Sequence, residues 1–159
     1  MSWRPIPKSD PFALRMFARH YSASPNLSRR TIGPPGQSLT LRWHDRGLFH
    51  GVSQNYVRHR WPGHVMISVF RFERAESDPL ASDLIVQACE ITRSALDCDR
   101  FVTFVDPQKI RSEVPGACFR AARFRSDGRS KKGLVALMRH FHGTREAVSP
   151  QLALSYESV

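Results

Sequence analysis

The sequence predicts an α/β fold of one domain built on a mixed sheet, and three observations carry that expectation. A long apolar run over 65–74 has Val65, Met66, Ile67, Val69, Phe70 and Phe72 on both of its faces, as a central strand covered on both sides requires. It is followed by a stretch in which Leu80, Leu84, Ala88, Ile91 and Ala95 fall on one helical stripe, and then by a second apolar run over 101–105. Strand, helix and strand in that order form a crossover unit, so the two strands are expected to be parallel neighbours. At 159 residues the chain can bury one core of ordinary size. The expected boundaries are an irregular arm over 1–8, a single domain over 9–139 and a loosely attached tail over 140–159.

Taken in order, Trp3, Pro5 and Pro7 make the first residues read as irregular. Asp10 is a helix N-cap and Pro11 suits the first helical position, where no amide hydrogen is needed. Ala13, Met16, Phe17 and His20 recur at helical spacing, and His20-Tyr21-Ser22 closes that helix, where His20 is either a packing residue of the apolar face or, with Tyr21 and Ser22, part of a site at the helix exit. Residues 23–37, with Pro25, Gly33, Pro34, Pro35, Gly36 and the pair Arg29-Arg30, show no periodicity; such a connection is either a functional loop or a solvated one. Residues 38–44 and 48–53 read as a hairpin turned by Asp45-Arg46-Gly47. The connection that follows interleaves Tyr56, Arg58, His59, Arg60 and Trp61, a pattern suited to stacking on bases while gripping phosphate; Trp61 before Pro62 reads equally as a core plug. After the central strand, Asp78 is expected to cap a helix that Pro79 opens and that runs to about Leu96. Residues 125–132 are polar with Gly128, and 133–139 form a last apolar strand.

The formal net charge is +10, from 24 Lys plus Arg against 14 Asp plus Glu. A field of that size attracts polyanions, and the competing explanation is a basic surface kept for solubility. Cys89, Cys98 and Cys118 contain no C-x-x-C pair, which points to neither a disulfide framework nor a structural zinc site. The apolar runs are too short to span a bilayer and the start lacks a secretory pattern, so a cytoplasmic protein without membrane contact is expected.

Chemistry concentrates in 101–124. Asp106-Pro107 ends the apolar strand 101–105, placing a carboxylate at the carboxyl end of a buried strand, where open α/β sheets bind ligands. Asp106 is either a functional acid or a residue that only caps the turn. Beyond it, Lys109, Arg111 and Arg120, with Lys131 and Lys132 further on, suit phosphate contacts. Cys118 is either a nucleophile or a helix-packing residue. The seven histidines form no H-x-x-x-H pair on a clear helix, which leaves a metal open.

This layout of elements resembles the GCN5-related N-acetyltransferase (GNAT) fold, in which the two parallel central strands splay and an acyl donor enters the gap. Within it, the strand ending in Val105-Asp106, the loop to Pro115-Gly116 and the segment Ala117-Cys118-Phe119-Arg120-Ala121-Ala122-Arg123-Phe124 resemble phage Mom-type DNA-modification proteins and related small phage acyltransferase-like proteins, as does His20-Tyr21-Ser22. The resemblance implies an anti-restriction enzyme of an infected bacterial host that transfers an acyl or aminoacyl group to a nitrogen on a DNA base, itself already modified in some relatives. Asp106 or His20 would take the proton from the acceptor nitrogen, and Tyr21 or Ser68 would protonate the leaving group or position the carbonyl. Arg29, Arg30, Arg58 and Arg60 would join the lysines and arginines of the later loops on double-stranded or locally opened DNA, from which the target base must leave the stack. Arg74, Ser77, Ser82 and Cys118 would face the donor, either an acyl-coenzyme A or an aminoacyl-tRNA.

Two departures qualify the resemblance. The segment from Arg74 to Asp83, where coenzyme A enzymes use glycine-borne amides to hold the pyrophosphate, has no glycine, loses an amide at Pro79, and carries Glu76, Asp78 and Asp83. This argues against coenzyme A as the donor. Phe119 stands where many such enzymes have a tyrosine that protonates the leaving thiolate, and Arg123 where the relatives usually have glycine. The alternatives are a non-catalytic nucleic-acid-binding protein on this fold and a small-molecule N-acetyltransferase.

Overall fold

The computed structural model describes residues 3–19, 32–54, 61–108 and 116–145. Among them run β1 (Arg4–Ile6), α1 (Pro11–Ala18), β2 (Ser38–Trp43), β3 (Gly47–Ser53), β4 (Val65–Phe72), α2 (Ala81–Ala95), β5 (Arg100–Val105), α3 (Ala117–Ala121), β6 (Arg125–Arg129) and β7 (Val135–His140). The seven strands form one sheet in the order β1-β2-β3-β4-β5-β7-β6. Every neighbouring pair is antiparallel except β4 and β5, which are parallel and joined through α2. This is the mixed α/β sheet with parallel central strands that the sequence predicts.

Alternation along the strands sends successive side chains to opposite faces, so two cores form. On one face α2 lays Leu84, Ile85, Ala88 and Cys89 against Leu39, Leu41, Phe49, Ile67 and Phe101, and Phe119 of α3 joins them. Gly51 lets α2 approach closely, since a side chain there would meet Val65 and Thr92. On the other face α1 packs Phe12, Ala13, Met16 and Phe17 onto Leu48, Val69 and Ile6. Its start is the expected one: Asp10 accepts a hydrogen bond from the Phe12 amide at 2.8 Å, with Pro11 at the first helical position.

Four local readings of the sequence are corrected. The first residues are not simply irregular: Arg4–Ile6 add an edge strand to β2, a place that tolerates Pro5, and Trp3 is buried with its indole N–H donating to the Leu84 carbonyl at 2.9 Å. Residues Arg125–Arg129 are a strand and not a polar connection; as an edge strand with both faces polar it shows no alternation, and its order comes from pairing with β7. Asp78 does not cap α2. That helix begins after Leu80 without a side-chain cap, and Leu80 is exposed instead of lying on the apolar stripe. The chain after β7 is packed as far as Arg145. Phe141 is buried, and Arg93, itself almost fully buried, donates to the carbonyls of His142 and Gly143 while pairing with Asp99 and Glu90. Arg145 closes the same network onto Asp99 and Asp97. No helix among the described residues is long and apolar enough to cross a membrane.

Candidate functional site

The site grows from a fork in the sheet. β4 and β5 are in register only at Val65–Phe101 and Met66–Val102; beyond that pair they part. The cause lies on the other side of β4, where the ladder with β3 slips between His50 and Gly51, so that His50 faces Val69 and Gly51 faces Ile67. Ser68 is the extra residue. A bulge of this kind bends its strand and increases its twist, which turns the rest of β4 away from β5. The Thr103 hydroxyl then donates to the Ile67 carbonyl at 3.0 Å, satisfying a backbone acceptor at the point where ladder pairing ends.

Beside the bulge sits a residue that sequence reasoning passed over. His50 is fully buried; its Nδ1 lies 2.8 Å from the Thr40 hydroxyl, and its Nε2 has no hydrogen-bond partner among the described residues. Burial, with a smaller contribution from the positive charge of Lys8, drives its pKa down to about 3, so the imidazole is neutral. Gly33, at a φ of +75°, lies directly over that ring: a Cβ there would be 2.4 Å from Nε2 and 3.3 Å from the Ser68 hydroxyl oxygen. Only glycine leaves room at this point for the chain to cross the imidazole. Strand periodicity conceals His50, because a histidine in an apolar strand is ordinarily read as packing; the signal that marks it is the unpaired nitrogen at a bulge.

Ser68 is therefore placed with His50, and its hydroxyl is at long range, 3.5 Å, from the His50 carbonyl. Asp106 follows the end of β5, half-buried, with Oδ1 accepting the Gln108 amide at 2.9 Å, the turn-capping role anticipated as one of its two readings. Counting from the paired Phe101, Asp106 stands one residue beyond the height of Val69 and His50, across the fork. Cys118 sits on α3, its thiol raised above the usual range by burial and partly packed against the core. Phe119, buried, stacks edge-on against Phe70 of β4 and Phe124, and with no hydroxyl it has no proton to give a leaving group. Trp61 is a plug under its turn, its indole N–H donating to Asp127 at 2.7 Å, and so is not free to stack on a base. Arg120, Lys131 and Lys132 are exposed. His20, Tyr21, Arg29, Arg30, Arg58, Arg60, Lys109 and Arg111 lie outside the described residues. Among the described residues no group of three or more His, Cys, Asp or Glu is placed to hold a metal ion.

The loop from β4 to α2 can be tested against an acyl-coenzyme A. Its diphosphate would need free amides and cations at this loop. Here the Asp78 carboxylate takes one of each, accepting both Nε and Nη2 of Arg46 at 2.7 Å and the Ala75 amide at 2.8 Å, and places its own negative charge in the loop. The bidentate pair and the turn amide together outweigh a single cap bond, which is why Asp78 leaves the helix end uncapped. Arg46 holds the Asp78 carboxyl below the usual carboxylate range. Arg74 folds back on the carbonyls of Asp78 and Pro79, while Ser77 and Ser82 have neighbours in the exposed acids Glu76 and Asp83. The residues present do not fit the diphosphate of coenzyme A.

No family model matches the chain, and no curated protein matches it. Among solved structures it is similar to an acetyltransferase from Thermus thermophilus, with a TM-score of 0.57 at 16% identity, over 89% of this chain and 98% of that one. At that identity the likeness is one of fold, and it is the fold anticipated from the order of elements: a mixed sheet flanked by helices.

Proposed function

We propose that the protein transfers an acyl or aminoacyl group to an amino nitrogen of a DNA base, as a phage DNA-modification enzyme of the Mom type. The observation that carries this reading is the fork between β4 and β5, with the half-buried carboxylate of Asp106 just past the end of β5. The attacking nitrogen must shed a proton as it bonds the acyl carbon, so a base has to stand at the gap. The half-buried Asp106 carboxylate, just past the end of β5 across the fork, is the candidate to take that proton. Ser68, one residue along the bulge, orients the carbonyl or returns a proton to the leaving group. His20 is the second candidate base. A charge of +10 supports a nucleic-acid substrate, whose target base is drawn out of the stack to reach so enclosed a site. Because the β4–α2 loop is filled by Asp78, aminoacyl-tRNA is the donor class that suits the chain better than coenzyme A.

Nucleoside mass spectrometry on DNA from cells making the protein, with and without the other enzymes of its genome, tests the reading. A new nucleoside mass is expected with the wild type and lost with Asp106→Ala, while retention of DNA on a salt gradient persists. If Asp106→Ala modifies at the normal rate, Asp106 is not the base. An unmodified product with wild type, DNA retention intact, marks a non-catalytic binder, a second reading that the filled donor loop favours.

A further inference from the structure

A second feature lies away from the fork, at the far edge of the sheet. The end of α3, the start of β6 and the end of β7 enclose a cleft of about 380 Å3 lined by Arg123, Arg125, Met138, Arg139, His140 and His142. Three guanidiniums and two imidazoles share it, and none of its lining residues is acidic. Among the described residues, Glu90 pairs with Arg93 at 3.0 Å, Asp99 pairs with Arg93 and Arg145, each at 2.9 Å, and Asp127 of β6 accepts the Trp61 indole N–H at 2.7 Å. Like charges brought together without a counter-charge repel one another, and an anion in the cleft relieves that repulsion.

The backbone makes the same point. α3 ends with the Phe124 amide bonded to the Phe119 carbonyl, the Schellman arrangement whose left-handed residue is usually glycine. Here that residue is Arg123, at a φ of +66°. A long side chain in this conformation is strained, and the strain sets its charge at the rim of the cleft. Arg139 forms the floor. It is half-buried, with Nη1 donating to the Ala122 carbonyl at 2.8 Å and its guanidinium 4.0 Å above the Phe141 ring, so its position is fixed before any ligand arrives. Burial pulls its pKa below the usual arginine range, with a smaller push the same way from the charge of Arg123. His140 and His142 lie with ring centroids 4.4 Å apart on the remaining side.

We propose that this cleft is a phosphate site for the backbone of the nucleic acid, formed by Arg123, Arg125 and Arg139 with His140 and His142. Guanidinium forks match phosphate oxygens in pairs, and an open cleft at a sheet edge admits a continuous chain on both sides of the bound phosphate. The site positions the polymer and carries no base information. It rests on the nucleic-acid half of the proposed function and is independent of the acyl chemistry.

The test is fluorescence anisotropy of a short labelled duplex against the full chain over a range of salt. Arg123→Gly with Arg125→Ala removes two charges and relieves the left-handed strain, so the fold is not at risk. Arg4→Ala with Arg15→Ala, on exposed positions of β1 and α1, removes the same charge elsewhere. Loss of two phosphate contacts is expected to weaken binding roughly fiftyfold at about 0.1 M salt and to lower the salt slope by about 2. The control should stay within about threefold, the size expected of long-range charge alone under screening. Equal weakening by both pairs overturns the site in favour of bulk charge, and no change in the cleft variant overturns it outright. Displacement of the duplex by millimolar inorganic phosphate at constant ionic strength makes the cleft a site for free phosphate instead. A wild type that binds no duplex removes the nucleic-acid reading as well, a failure distinct from the others.

Discussion

Thr103→Val tests how the fork is held open. Thr103 is buried on β5, and its hydroxyl supplies the Ile67 carbonyl of β4 with a hydrogen bond at 3.0 Å just past the last paired residues of the two strands. Valine keeps the volume and removes the donor, so cavity formation contributes little and the orphaned carbonyl sets the cost. A buried acceptor left unsatisfied costs about 1–3 kcal/mol. With a urea slope of about 2 kcal/mol/M, the midpoint should fall by roughly 0.5–1.5 M. Thr103→Ser keeps the hydroxyl and loses one methyl, about 0.8 kcal/mol. Equilibrium urea unfolding by far-UV circular dichroism measures both. If Thr103→Val loses less than about 0.5 kcal/mol, the hydroxyl is not what satisfies β4 at the fork, because that is the ordinary spread of a neutral change.

His50 ties stability to pH. Its folded pKa of about 3 lies below the unfolded value of 6.5, so the unfolded state binds the extra proton between them; stability is fully present above pH 6.5 and is lost as pH falls toward 3. That loss, up to about 4 kcal/mol, should be absent from His50→Gln when both proteins are unfolded in urea across this window, and parallel curves would refute it. Trp3→Ala should destabilise by about 3–5 kcal/mol, since it empties a buried site and removes the bond to Leu84; a thermal midpoint unchanged within error would show that the first strand is not integral to the fold. Cys118, protonated through burial, should alkylate with iodoacetamide far more slowly at pH 7.5 than a free thiol, and Cys118→Ser should still modify DNA. Rapid alkylation together with loss of activity would make it a nucleophile.

Elements with strong internal periodicity were legible one by one. The run from Val65 and the stripe through Leu84 and Ala88 announce a buried strand and an amphipathic helix, and Asp10-Pro11 announces a helix start, because each signal is carried by neighbours along the chain. The edge strands β1 and β6 were not legible. Their pairing partners supply the order, and prolines or charged residues on both faces erase the alternation. Asp78 shows the same limit at a single side chain. An acid followed by proline reads as a cap, and only the arrival of Arg46 from a turn 32 residues earlier redirects it.

The candidate site divides along the same line. By itself the sequence determined the α/β order, the crossover that makes β4 and β5 parallel, the basic charge, and a carboxylate at the end of β5, since these depend on composition and local spacing. The tertiary structure alone decided that the ladder slips at Ser68, that the strands part after Met66, that His50 is left with an unpaired nitrogen under Gly33, and that Arg123, Arg125 and Arg139 meet at one edge. Those features are relations between residues far apart in the chain, set by which backbone groups find partners and which do not, and no local pattern encodes them.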